Sequence, residues 1–347
     1  PSDLEIKNDK ESLFFLVRPF IEKSEIKINR KIFKKWGLDD SKIKLSYKLE
    51  KSNVLLIPYV INYYFKNGHS SYLEQYNLLC GLHGLKGLGI ISGDFGKNFQ
   101  TYGNLTYFRL GGFKKQLDIL NKGFPAALSD QNVKLFRSER ILINEKKKRP
   151  TIGFCGHASN SKITYFHQSF NFLRENISRF FKNPLNSIYE PIFQSANERY
   201  KILKRLEHIS EIKTNFIYRD KYRAGAKTES QLKKTTMEHY HNIRCSDYVI
   251  CLRGTGNFSI RFYETLMMGR IPIFINTDCF LPFTNLIAWD DHIIIVEWNE
   301  IANLKDILLD FHQNISANDF KRIQINNRKL WKEKLNPHWI LENLLEI

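Results

Sequence analysis

The sequence predicts an α/β protein built of two Rossmann-like domains, and three observations predict it. Short apolar runs rich in β-formers alternate with helical patterns in both halves, which favours parallel sheets with helices on each face. The length of 347 residues exceeds what one domain of about 150 residues needs and suits two. Several of the apolar runs break directly into glycine-containing loops: residues 88–92 into Gly93, 151–155 into Gly156, and 248–252 into Gly254 and Gly256. Such strand-to-loop junctions are where parallel sheets receive ligands.

In order, residues 13–19 (LFFLVRP) read as a first buried strand, and residues 29–36 as a basic segment leading to a turn at Gly37. Residues 53–59 form the next strand, ended by Pro58, and are followed by Tyr59, Tyr63, Tyr64 and Phe65. Those rings either stack on sugar faces or pack a helix. Residues 72–82 are a helix and residues 88–92 a strand, which puts Asp94 and the nearby His83 at a strand's carboxyl end. Residues 104–110 give a further strand, and 126–136 carry the chain on. The stretch NEKKKRP, residues 144–150, is charged and breaks at Pro150, the composition of an interdomain linker. The domains are therefore expected over 1–148 and 149–325.

The second domain opens with strand 151–155 running into Gly156 and His157, then helices over 166–181 and 194–206 and a strand over 214–218. Residues 219–227 (RDKYRAGAK) form a basic loop with Arg219, Lys221 and Arg223 as secondary anion contacts, and residues 236–244 a helix bearing Tyr240 and His241. Strand 248–252 then enters the loop holding Arg253, Gly254, Gly256 and Asn257. Ser259 caps the helix that follows, Gly269 stops it, and strand 271–275 begins at a strand-edge Pro272. This β-loop-α-β unit offers loop and helix N-terminal N–H groups, with Arg253 and Arg261, to an anion at a strand's carboxyl end. Glu264 lies one turn beyond Arg261, where a carboxylate can accept from ribose or sugar hydroxyls. Another strand (291–298), an amphipathic helix (301–311) and a helical tail (326–347) complete the chain.

The order Arg253, Gly254, Ser259, Arg261, Phe262, Glu264, Gly269, Pro272, Leu281, Pro282, Phe283 and Trp289 resembles the exostosin family of inverting glycosyltransferases. The strand 53–59 and the Gly-rich turn before Asp94 extend the resemblance into the first half. It implies the GT-B architecture: two Rossmann-like domains facing a cleft, the second binding a nucleotide-sugar, the first its acceptor, and the C-terminal helix 326–347 crossing back to the first. It also makes the loop after residue 155, with Gly156 and His157, part of the donor site. Inverting transfer needs a base for the acceptor hydroxyl and charge relief for the leaving diphosphate. Asp94 is the candidate base. No Asp-x-Asp triplet is present, so no metal or other cofactor is expected and the arginines supply the charge. A UDP-sugar donor and a glycan or lipid-linked glycan acceptor are the expected partners. The nearest alternative enzyme is an α1,3-fucosyltransferase-like one using a GDP-sugar; it wants a Lys where Arg261 stands.

Net charge is +17, from 53 Lys and Arg against 36 Asp and Glu. That balance suits acidic partners, including an anionic membrane surface, or reflects a Lys-rich solvated face. A basic nucleic-acid-binding protein is the rival outside enzymes, but no basic stripe with a nucleic-acid motif is seen. Cysteines 80, 155, 245, 251 and 279 show no metal-ligand spacing and read as reduced thiols. No apolar run approaches the ~20 residues of a membrane span. These features predict a cytoplasmic protein, peripheral to the inner membrane face; an anchor ahead of Pro1 would instead place it in the Golgi lumen.

Overall fold

The computed structural model describes residues 13–22, 25–182 and 188–347. The strands are β1 (Ile21–Glu22), β2 (Glu25–Ile26), β3 (Val54–Leu56), β4 (Lys86–Ile91), β5 (Leu105–Arg109), β6 (Asn121–Gly123), β7 (Thr151–His157), β8 (Lys213–Arg219), β9 (Tyr248–Cys251), β10 (Ile271–Asn276) and β11 (Ile294–Glu297). The helices are α1 (Arg30–Trp36), α2 (Ile61–Lys66), α3 (Ser71–His83), α4 (Gln131–Phe136), α5 (Lys162–Lys182), α6 (Ser195–Glu207), α7 (Glu229–Arg244), α8 (Ile260–Met267), α9 (Leu304–Asn314), α10 (Ala317–Lys334) and α11 (Pro337–Glu342). The protein is α/β, and both main sheets are parallel throughout.

Two compact units divide the chain. The first holds residues 1–127, 280–286 and 334–347, the second 128–279 and 287–333. The change therefore falls at 127/128, whereas the sequence suggested 148/149. The charged stretch before Pro150 is bound rather than a free linker. The Asn144 N–H donates to Gln324 Oε1 at 2.9 Å, its carbonyl accepts from Gln324 Nε2 at 2.9 Å, and Asp130 pairs with Arg328 at 2.5 Å. Residues 326–333 of the tail likewise belong to the second unit; α11 belongs to the first.

In the first unit the sheet order is β3-β4-β5-β6. The predicted strand over 13–19 is instead a 3₁₀ turn, Phe15–Phe20, with Pro19 inside it. Only Leu13 finds a strand-like partner, in a single bridge to Tyr59, and Val17 N–H bonds back to Phe14 O at 3.0 Å. A run whose ladder would be broken by a proline gains more by closing local bonds. The rings after β3 pack one another: Tyr59 and Tyr63 stack at 4.4 Å and Tyr64 meets Tyr76 edge-on at 6.2 Å. With Tyr59 and Tyr64 buried, packing is their role. Leu281–Phe283 returns to this unit: a Cβ on Gly123 would sit 2.6 Å from Leu281 O, so only glycine admits that backbone approach.

In the second unit the order is β11-β10-β9-β7-β8. The chain runs from β7 to β8 on one side, then crosses to β9 on the other, so β7 and β9 flank a topological switch point. In open parallel sheets the carboxyl ends of such a strand pair diverge into a crevice. Beneath lies a core of Ile152, Phe154, Ile250, Ile273, Ile275 and Val296 from the strands, packed on Leu203 and Leu206 of α6. Pro272 lies in an interior strand, yet the pairing of β10 with β11 starts only at Ile273, so its missing N–H leaves no ladder bond unmade.

Candidate functional site

The carboxyl ends of β7 and β9 gather three arginines from three elements. Arg199 of α6 donates to His157 O at 3.3 Å, Leu252 O at 3.0 Å and Arg253 O at 2.8 Å. It thereby ties the two strand ends together. Arg261, in the first turn of α8, reaches Cys155 O at 3.1 Å and lies over the Phe154 ring at 4.1 Å. Gly156 makes that reach possible, because a Cβ there would stand 2.5 Å from Arg261 Nη2. Arg253 donates to Thr255 O at 2.9 Å, sits over Phe193 at 4.9 Å, and has Nη2 3.9 Å from Glu190 Oε1.

Burial, then the charges of Arg261 and Arg253, pushes Arg199 down to about 9. Arg253 is pushed down to about 10 by burial, partly offset by Glu190, and burial also lowers Arg261. All three remain cations at neutral pH, held where charge is costly and among like charges. The Nε atoms of Arg199 and Arg261 and Nε2 of His157 are buried with no hydrogen-bond partner among the described residues. Burial, and then Arg199, lowers the pKa of His157, so its ring is neutral. A cluster of this kind is stabilised by an anion that accepts several N–H donors at once.

Glu264 stands beside the cluster with both oxygens engaged. Oε2 meets His239 Nε2 at 2.8 Å and Oε1 accepts from Tyr240 Oη at 2.9 Å, while His239 Nδ1 lies 3.2 Å from Cys155 O. Burial disfavours the His239 charge, but Glu264 and the Cys155 carbonyl outweigh it and raise His239 to about 9. Burial alone would raise Glu264; His239 and Arg261 overcome that and lower it. The pair is therefore imidazolium and carboxylate, so Glu264 leaves the positive charge of the arginines largely uncancelled. A carboxylate oxygen has a second lone pair, so Glu264 can still accept from a ligand hydroxyl.

The exostosin GT47 domain matches residues 185–311, the span that holds Arg199, His239, Arg253, Arg261 and Glu264. That span is similar to the exostosin GT47 domain. The chain is 28% identical over 92 residues to a probable glycosyltransferase of Arabidopsis thaliana, 26% of this chain and 18% of the relative. It is 31% identical over 70 residues to a probable glucuronosyltransferase of Oryza sativa subsp. japonica, 20% of this chain and 16% of the relative. The chain thus matches less than a fifth of the length of each. A solved glycosyltransferase from Rickettsia africae ESF-5 aligns at 13% identity over 91% of this chain and 77% of that one, with a TM-score of 0.37.

At the ends of β7 and β9 the structure brings together Gly156, His157, Arg253, Gly254, Arg261 and Glu264. It corrects the part expected of several others. The Asn257 side chain is fully buried and faces inward, donating to Thr277 O at 2.9 Å and Asp278 O at 3.0 Å and accepting from Thr277 Oγ1 at 2.6 Å. It straps the loop to the end of β10 and is out of a ligand's reach. The Gly254 N–H is spent on Phe258 O and the Phe258 N–H on Gly256 O, so the loop closes on itself instead of presenting those donors. Ser259 precedes α8 but makes no side-chain cap bond. Arg219 is the buried end of β8, paired with Glu238 at 2.6 Å and Thr235 O at 2.8 Å. Of the three expected anion contacts in that basic loop, Lys221 and Arg223 are the exposed ones.

Two residues were missed. Arg199 sits in a helix of ordinary surface-like composition, and no motif marks it. On α7 the sequence drew attention to Tyr240 and His241; Tyr240 does reach Glu264, but the histidine that does so is His239, and its signal is the inward face shared with Asn242 and Ile243. In the first unit, Asp94 lies exposed in the loop after β4. His83 does not join it, since it ends α3 and so precedes the amino end of β4. A cavity of 720 Å³ in that unit, lined by Val17, Phe20, Leu45, Leu56 and Leu341 among others, includes none of the expected site residues.

Proposed function

We propose that this chain transfers a sugar from a nucleotide-sugar, UDP-sugars first, to a glycan or lipid-linked glycan acceptor with inversion. One observation carries the reading: Arg199, Arg253 and Arg261 converge at the β7/β9 switch point, with Gly156 clearing the way for Arg261. In this scheme the acceptor oxygen attacks the anomeric carbon, the bond from that carbon to the diphosphate oxygen breaks, and the arginines take up the charge left on the diphosphate. Glu264, oriented by His239 and Tyr240, accepts from ribose or sugar hydroxyls. Asp94 takes the acceptor proton. Charge relief comes from the protein, so the reaction proceeds without a divalent metal. The exostosin-like domain and the names of the plant relatives support the transferase reading, as does the two-unit α/β build.

A thermal-shift panel of UDP-, GDP-, dTDP- and CMP-sugars, each with and without EDTA, tests it. Stabilisation by a UDP-sugar that survives EDTA is the expected result. Stabilisation by none of the donors would remove the nucleotide-sugar assignment, and loss of the shift with EDTA would remove the metal-independent step.

A further inference from the structure

Helix α5 is amphipathic with its apolar side turned outward. Its inner face is polar and fully engaged. Gln168 Oε1 accepts from Ala196 N–H at 3.2 Å, Ser169 Oγ from Gln194 Nε2 at 2.9 Å, and Asn176 exchanges two bonds with the Glu190 backbone at 2.7 and 2.9 Å. Arg179 binds Glu175 and Glu190, each at 3.0 Å. Among its apolar side chains, Phe172 is the buried one. Outward stand Ile163, Phe166, Phe170, Leu173, Ile177 and Phe180, at alternating steps of three and four, a continuous stripe along the helix. Ile163 is 82% exposed, Phe166 68%, Phe170 60% and the adjoining Phe181 80%. Isolated exposed apolar residues need no explanation, but six in register on one helix mark a surface that is covered in use.

The borders of the stripe say what covers it. Lys162, His167 and Arg174 flank it and are exposed, whereas the carboxylate of the helix, Glu175, is turned in and held by Arg179. A second copy laid along the stripe would set these basic edges against one another. An anionic lipid surface complements them, and the net charge of +17 favours the same encounter. Phenylalanine and leucine on one side with cations at the margin is the make-up of a helix lying in the headgroup region. We propose that α5 seats the protein on an anionic bilayer, lying in the plane of the interface with Phe166, Phe170 and Phe180 in the acyl boundary. Its inner face meets Glu190, whose other oxygen faces Arg253, so the docking helix and the arginine cluster share a carboxylate.

Co-sedimentation with phosphatidylcholine vesicles, with and without phosphatidylglycerol, tests this without any assay of sugar transfer. The protein is expected to pellet with the phosphatidylglycerol vesicles and to be released by salt. The pair Phe166→Asp and Phe170→Asp is expected to weaken partition about a hundredfold, from the loss of two buried rings. Both rings are exposed, so the melting curve of the double variant is expected to match that of the parent. Lys162→Glu with Arg174→Glu should weaken binding to the anionic vesicles in particular. Failure of the parent to pellet with them, or equal pelleting of parent and double-Asp variant, would overturn the proposal. So would a concentration-dependent dimer abolished by the double variant while neither protein binds vesicles, since the stripe would then belong to a second copy.

Discussion

His239 shows how one side chain sets the character of the site. Its pKa is raised from 6.5 to about 9, so the stability it contributes is complete below 6.5 and fades as pH climbs through 9. Glu264 is lowered from 4.5, so its contribution is present above 4.5 and disappears as pH falls through its folded value. The pair should therefore stabilise the fold most between 4.5 and 6.5. We expect the stability lost in His239→Gln to peak in that window at about 3 kcal/mol and to shrink toward pH 9. Urea unfolding of parent and variant across pH measures it. A difference that stays constant with pH would show that the two groups are not an ion pair.

At the level of elements, the site is made by strand ends and the loops leaving them. In the second unit β7, β9, α6, α7 and α8 each contribute, and the sequence made the parts of β7, β9 and α8 legible because glycine breaks and buried β-forming runs are local signals. Gly156, Arg253, Arg261 and Glu264 could be found that way. Arg199 and His239 could not, because what selects them is the pairing of α6 and α7 with strands distant in sequence. Asn257 failed for the opposite reason: its position in a glycine-rich loop suggested a ligand, while its bonds to the end of β10 are tertiary. In the first unit the loop after β4 is fixed at its start by Asn62, which bonds Ser92 N–H at 2.8 Å and Ser92 O at 3.0 Å, and further on by buried Arg109, which donates to Lys97 O at 2.7 Å. Asp94 is presented from that braced loop. Asp94→Asn should lower turnover by roughly a hundredfold or more, the usual worth of a general base, with unchanged thermal stability because the side chain is exposed. Full turnover in the variant, measured as sugar transfer from the donor the thermal panel selects, would remove Asp94 from the reaction.

On the scale of the whole molecule, the chain passes between its two units four times, at 127/128, 279/280, 286/287 and 333/334. Local composition concealed this. The stretch before Pro150 has the charge of a linker, yet Asn144 and the Pro150 carbonyl, which accepts from Lys213 N–H at 2.8 Å, are built into the second unit. Two α/β units and their parallel sheets were readable from alternating patterns, whereas their limits depended on contacts the patterns do not encode. Among the described residues no helix is long and apolar enough to cross a membrane.

The cations at the β7/β9 switch point are proposed to receive a diphosphate. Isothermal titration of UDP against uridine, in the parent and in Arg261→Lys, tests it most directly. UDP is expected to bind the parent at least about a hundredfold more tightly than uridine, since several charge-assisted bonds to phosphate are each worth roughly 1.5–3 kcal/mol. Most of this advantage should be lost in the lysine variant, which keeps the charge but not the fork that spans Cys155 O and the ligand. Equal affinity for UDP and uridine in the parent would contradict it.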